Sequence, residues 1–173
     1  CIPIDPNYLS HRVKTVLGQP FRFVELAQEI NEGMPHYIMR RAQDLLNDHG
    51  RSLKGSTILL LGVTYKADIA DQRESPVRPL ARRLMAAGAT IAYHDPFVPQ
   101  WNVDDEHWIP ADGLTGEGRV LECVPDVAAA VAGADLVIVL QKHRAYDLAA
   151  LTASAKAVLD TRGVLSGPNV QRL

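Results

Sequence analysis

Two apolar runs without polar alternation, Thr57-Ile-Leu-Leu-Leu61 and Leu136–Leu140, constrain this chain most. A strand facing water on one side alternates, so uninterrupted runs of this length mark strands buried on both faces. Further strands are expected at Thr90–His94 and Ala157–Asp160, with a weaker one at Val120–Val124. Helices fall between them. Ser75-Pro76 opens one whose inner face is Val77, Leu80, Leu84 and Ala87 and whose outer face carries Arg78, Arg82 and Arg83; Gly88 closes it. Asp126 caps an alanine-rich helix that stops at Gly133, and a short helix is expected around Tyr146–Leu151. Residues 96–119, with Trp101 and Trp108, read as a long loop. This rhythm predicts an α/β fold, a Rossmann-like parallel sheet with helices on both faces, over residues 51–173.

The chain ahead of that domain divides in two. Residues 1–19 read as a proline-bearing loop and a short helix, with Asp5 as N-cap, Pro6 at the first helical position, and Gly18 and Pro20 as the stop. Residues 20–50 read as a linking helix with Ala27, Ile30, Met34, Ile38, Ala42 and Leu45 in one stripe. Gly33-Met34-Pro35 predicts a kink there, or two helices end to end. The stripe is longer than one small domain needs for its core, so a homodimer is expected through it.

Composition narrows the function by exclusion. A net charge of −2 over 173 residues leaves no electrostatic footprint for nucleic acid or an acidic membrane surface. No apolar run approaches the roughly 18 residues of a membrane span. Cys1 and Cys123 form no disulfide framework, and the six histidines include no pair at ligand spacing. No metal is expected, and the expected compartment is the reducing cytoplasm.

Two constellations can carry chemistry. The first is Cys1-Ile-Pro-Ile-Asp5, a thiol and a carboxylate separated by a proline. Drawn straight, four residues span about 13 Å, so the chain must curve if both serve one site. A carboxylate also disfavours the thiolate, so Asp5 alone activates Cys1 poorly; helix capping is its alternative role. The second is Gly62 to Pro76, at the carboxyl end of a buried strand, where open parallel sheets bind ligands. Gly62 permits close backbone approach, Lys66 and Arg73 supply positive charge, and Ser75-Pro76 offers N–H groups at a helix start. The alternatives are a solvated Lys66 and a surface ion pair at Arg73. Arg162 lies beyond another strand end, either at a site or at the surface, and His143 reads as structural. No G-x-G-x-x-G follows a strand; Gly113, Gly116 and Gly118 permit turns in the long loop.

These strings resemble the UDP-glucose/GDP-mannose dehydrogenase family in order and spacing. The matching segments are Cys1–Leu9, Leu61–Lys66, Asp71–Pro76, Tyr93–Pro96 and Asp160–Arg162. Ile4 and Pro6 are closer to the branch acting on UDP-N-acetyl-hexosamines than to the UDP-glucose or GDP-mannose branches. The resemblance implies the C-terminal part of a 6-dehydrogenase, cut at its catalytic cysteine and inactive alone. It implies Cys1 as nucleophile and Asp5 as proton-transfer or water-orienting partner. Tyr65, Lys66 and Arg73 would bind the UDP-sugar, and Arg162 would reach the active-site region near the cofactor. NAD would be held mainly by an N-terminal domain outside this chain. A non-catalytic nucleotide-binding or dimerisation module is the reading without that resemblance.

Overall fold

The computed structural model describes residues 5–104 and 119–173, apart from the side chains of Asp5 and Asn7. Cys1 and Trp108 lie outside the described residues. Two compact units emerge, residues 1–34 and 35–173.

In the first unit α1 runs Asp5–Leu17 and ends at Gly18, whose φ of +66° and N–H bond to the Lys14 carbonyl close the last turn. The helix α2 then runs Arg22–Asp48 with Pro35 inside it. The break expected at Gly33-Met34-Pro35 does not divide it into two. Ala42, Leu45 and Leu46, in its second half, are buried in the core of the second unit. Phe23, Leu26 and Ile30 in the first half are exposed.

Five parallel strands make the main sheet in the order β2-β1-β5-β6-β7, with β1 Thr57–Leu61, β2 Thr90–His94, β5 Leu136–Val139, β6 Val158–Asp160 and β7 Val170–Arg172. Alternate residues of the buried strands feed two cores. Ile58, Leu60, Leu136, Ile138 and Leu159 join α2 and α3 (Val77–Ala86) on one face. Leu59, Leu61, Val137, Val139 and Val158 join α4 (Val127–Gly133) and α5 (Leu148–Thr152) on the other. A residue fully buried on either face contributes about 1.5–3 kcal/mol, which is why neither set is polar. The all-apolar reading of β1 and β5 holds. Asp126 caps α4 through the Ala129 N–H, as the sequence predicts.

Three features differ from expectation. Val120–Glu122 is a strand, β4, but it pairs antiparallel with β3 (Gln100–Asn102) in a separate ribbon. Trp101 anchors that ribbon, fully buried and edge-on to Tyr93 with ring centroids 5.4 Å apart. The strand β7 was not expected, because three residues with a single apolar side chain give no usable period. Arg78 and Arg82 are buried rather than solvated. The Arg78 Nε donates to the Asn102 carbonyl at 3.1 Å, and the Arg82 Nε to the Val103 carbonyl at 2.9 Å while pairing with Asp104 at 3.0 Å. Their stems cover apolar surface and their heads satisfy the ribbon's carbonyls. Among the described residues no helix is long and apolar enough to cross a membrane.

Candidate functional site

The chain leaves β1 on one side to form β2, then returns on the other side of β1 to form β5. This reversal places a topological switch point at the carboxyl ends of β1 and β5, the usual ligand position in open parallel sheets. Two loops meet there, one following Leu61 and one following Val139.

Their approach is close enough to require glycine. Gly62 sits at φ +83°, and a Cβ on it would lie 2.5 Å from the Gln141 Cβ. The Gly62 N–H donates to the His94 carbonyl, and the N–H groups of Leu140 and Gln141 both donate to the Leu61 carbonyl. The ends of β2, β1 and β5 are thereby tied together before any side chain acts.

A buried carboxylate links the three loops. Asp95, just beyond β2, accepts the Val63 N–H at 2.8 Å, the Phe97 N–H at 2.9 Å and the His143 Nε2 at 3.1 Å. Burial pushes its carboxyl up, but the bonds from His143, Phe97 and Val63 outweigh that and hold it below the ordinary carboxylate value. The His143 Nδ1 accepts the Asp68 N–H at 2.9 Å, so the ring proton belongs on Nε2, facing Asp95. Tyr146 donates its hydroxyl to the His94 carbonyl at 2.7 Å, and burial lowers the neighbouring His94 imidazole. Burial likewise raises the Tyr146 phenol.

The residues singled out from sequence are placed as follows. Tyr65 is half-buried, and Lys66 is exposed with its Nζ 5.7 Å from the Tyr65 ring centroid, within cation–π reach. Arg73 is exposed and doubly bonded to Asp71, Nε to Oδ1 at 2.9 Å and Nη2 to Oδ2 at 2.8 Å. That bond takes the Asp71 carboxyl down to about 2. The Tyr65 N–H donates to the Asp71 carbonyl at 2.8 Å, so Tyr65, Lys66 and the Arg73–Asp71 pair share one folded loop. Arg162 follows β6, on the far side of β5 from β1. Its loop is fixed by Asp160, which accepts the N–H groups of residues 162 to 165. Asp5 opens α1 in the first unit.

The helix start at Ser75-Pro76 departs from expectation. Ser75 and Val77 are buried, the Ser75 hydroxyl donates to the Val63 carbonyl, and the Val77 N–H meets the Ser75 Oγ at 3.4 Å. That end of α3 is used in packing the loop, not in presenting donors.

Asp68, Asp95 and Gln141 carried no role in the sequence reading. Asp95 and Gln141 lie one and two residues beyond the ends of β2 and β5, and that position is the signal that could have found them, whereas Asp68, seven residues beyond β1, has no such local signal.

Residues 59–167 match the UDP-glucose/GDP-mannose dehydrogenase family, UDP binding domain. The match runs from within β1 to the loop before β7, so it contains the loops after β1, β2, β5 and β6. The chain belongs to this family. It is 28% identical, over 95% of its length, to the UDP-N-acetyl-D-mannosamine dehydrogenase of Methanococcus maripaludis, of which it covers 34%. It is 26% identical, over 68% of its length, to the UDP-N-acetyl-D-glucosamine 6-dehydrogenase of Pseudomonas aeruginosa, of which it covers 28%. The chain thus spans about a third of the length of the curated relatives it matches. Among solved structures, the UDP-D-ManNAc dehydrogenase of Pyrococcus horikoshii shares the fold, with a TM-score of 0.74 at 20% identity, covering 99% of this chain and 37% of that one.

Proposed function

We propose that this chain is the C-terminal, UDP-sugar-binding part of an NAD-dependent UDP-N-acetyl-hexosamine 6-dehydrogenase. The supporting observation is that the UDP binding domain match encloses the loops that follow β1 and β5, with Lys66 exposed on the first of them. A diphosphate there meets the Lys66 ammonium, with Tyr65 beside it and Arg73 held by Asp71 close by. The relatives named for N-acetyl-hexosamines, together with Ile4 and Pro6, favour the amino-sugar substrate.

In the complete enzyme C6 of the hexosamine passes from alcohol to acid, a four-electron oxidation with two NAD molecules as acceptors. Cys1 adds to the aldehyde as a thiohemiacetal, holds the acyl group as a thioester, and is released by water, with Asp5 moving the proton or orienting that water. The described residues do not fit a dinucleotide cradle. No G-x-G-x-x-G follows a strand among them, and α3 begins only at Val77, fifteen residues after the Gly62 turn. NAD therefore belongs mainly to another part of the enzyme, with Arg162 as this chain's contribution near it. The enzyme is a cytoplasmic homodimer in this reading. The domain limits that go with it are a cysteine loop over 1–19, a linking helix over 20–50 and the UDP-sugar domain over 51–173.

Titration calorimetry with UDP, on the protein at its full natural length, tests the reading. Lys66→Ala should weaken UDP binding by about 1.5–3 kcal/mol, the range for hydrogen bonds to charged groups. UDP-N-acetylglucosamine and UDP-glucose should lose equally, because the lysine meets their shared half. Cys1→Ala should keep UDP affinity and lose acid formation. Undiminished affinity in Lys66→Ala would remove the lysine from the site.

A further inference from the structure

The segment from Thr64 to Asp68 is gripped on both sides of Tyr65-Lys66 by residues that follow β5. Gln141, almost fully buried, donates its Nε2 to the carbonyls of Thr64 and Tyr65, both at 2.9 Å. His143, buried with 1% exposure, accepts the Asp68 N–H. The Asp68 carboxylate then takes the Arg144 N–H and Nε, each at 2.8 Å. Asp68 has φ +63°, a left-handed conformation that aspartate tolerates better than most residues and that the bonds to His143 and Arg144 hold in place here. A histidine serving packing alone needs only core partners. His143 divides its two ring nitrogens between the buried Asp95 and the backbone of the ligand loop.

We infer that Gln141 and His143 are positioning residues that preset the Tyr65-Lys66 backbone for the nucleotide diphosphate. The inference rests on the proposed role of Lys66. Neither residue touches the ligand in this scheme. Each removes freedom from the loop before binding, so less ordering remains when UDP arrives. Gln141 fixes the carbonyl side of the turn and His143 the N–H side, leaving the Lys66 side chain exposed between them.

The two nitrogens of His143 allow a test that packing alone would not pass. In His143→Asn the Oδ1 takes the place of Nδ1 and keeps the acceptor for Asp68 while the donor to Asp95 is lost. In His143→Gln the Nε2 keeps the donor to Asp95 while the acceptor for the loop is lost. UDP dissociation constants and melting temperatures are measured on both, on wild type and on Lys66→Ala, at full natural length. His143→Asn should bind UDP within about twofold of wild type despite a lower melting temperature. His143→Gln should bind about five- to tenfold more weakly, the worth of one hydrogen bond. Equal affinities in the two variants, whether unchanged or reduced in step with melting temperature, overturn the inference. Should neither variant fold, Gln141→Met decides. It fills the same volume, donates to neither carbonyl, and must weaken UDP binding for the inference to stand. Wild-type affinity in Lys66→Ala would overturn the underlying site reading instead, and the two failures are distinct.

Discussion

Gly62 is where one atom decides whether the loops after β1 and β5 can meet. Its left-handed φ costs a residue with a side chain roughly 1–2 kcal/mol, and the added Cβ would also press into Gln141, an overlap worth about 1–3 kcal/mol more. Gly62→Ala should therefore lose about 2–5 kcal/mol of unfolding free energy, read from urea denaturation. Gly55→Ala serves as the control. Gly55 has a similar φ of +84°, but a Cβ there meets nothing within 4 Å, so it should carry only the backbone part. Equal losses at the two positions would mean that the contact with Gln141 is not tight. Of the residues in the proposed site, Lys66 was legible in position because it follows a strand that its apolar run identifies, whereas Tyr65 entered through the family resemblance alone. His143, Asp95 and Gln141 were not legible, since their importance lies in partners 32 to 79 residues away that no local pattern encodes.

At the scale of elements, strands buried on both faces and helices with a cap and a stop could be read from local chemistry. Both signals are complete within a few residues. The β3–β4 ribbon could not, because its pairing is decided by Trp101 packing on Tyr93 and by Arg78 and Arg82 reaching its carbonyls. A charged residue on a helix looks solvated until its acceptor is known. The exposed stripe of α2 is the complementary case. Phe23, Leu26 and Ile30 follow the three- and four-residue spacing of one helical face and are 78%, 54% and 59% exposed. A face of this kind seeks cover, and a second copy supplies an identical one. Light scattering at micromolar concentration should give a dimer for the protein at full natural length. Phe23→Glu with Ile30→Glu should give a monomer that still melts cooperatively. A wild-type monomer would contradict the dimer.

For the molecule as a whole, the hub at Asp95 couples acid stability to the integrity of the site. Its carboxyl is held below the ordinary value, and that of Asp135 likewise. Burial raises Asp135, but the Thr57 N–H, Lys156 and Arg51 more than offset it. In the window between the folded values and the unfolded value near 3.9, the unfolded chain binds more protons. Stability from these groups is then complete above about pH 4 to 5 and is lost as pH falls through their depressed folded values. Asp95 joins Val63, Phe97 and His143, so its protonation loosens the loops after β1, β2 and β5 together. Asp95→Asn keeps the shape but turns an amide donor toward one of three donors. It should lose about 2–3 kcal/mol at pH 7, the scale of a bond to a charged acceptor. Its urea midpoint should also fall less than that of wild type between pH 7 and pH 3.5, because the titrating group is gone. If both proteins lose the same amount over that interval, acid sensitivity resides elsewhere and Asp95 is a hub for geometry alone.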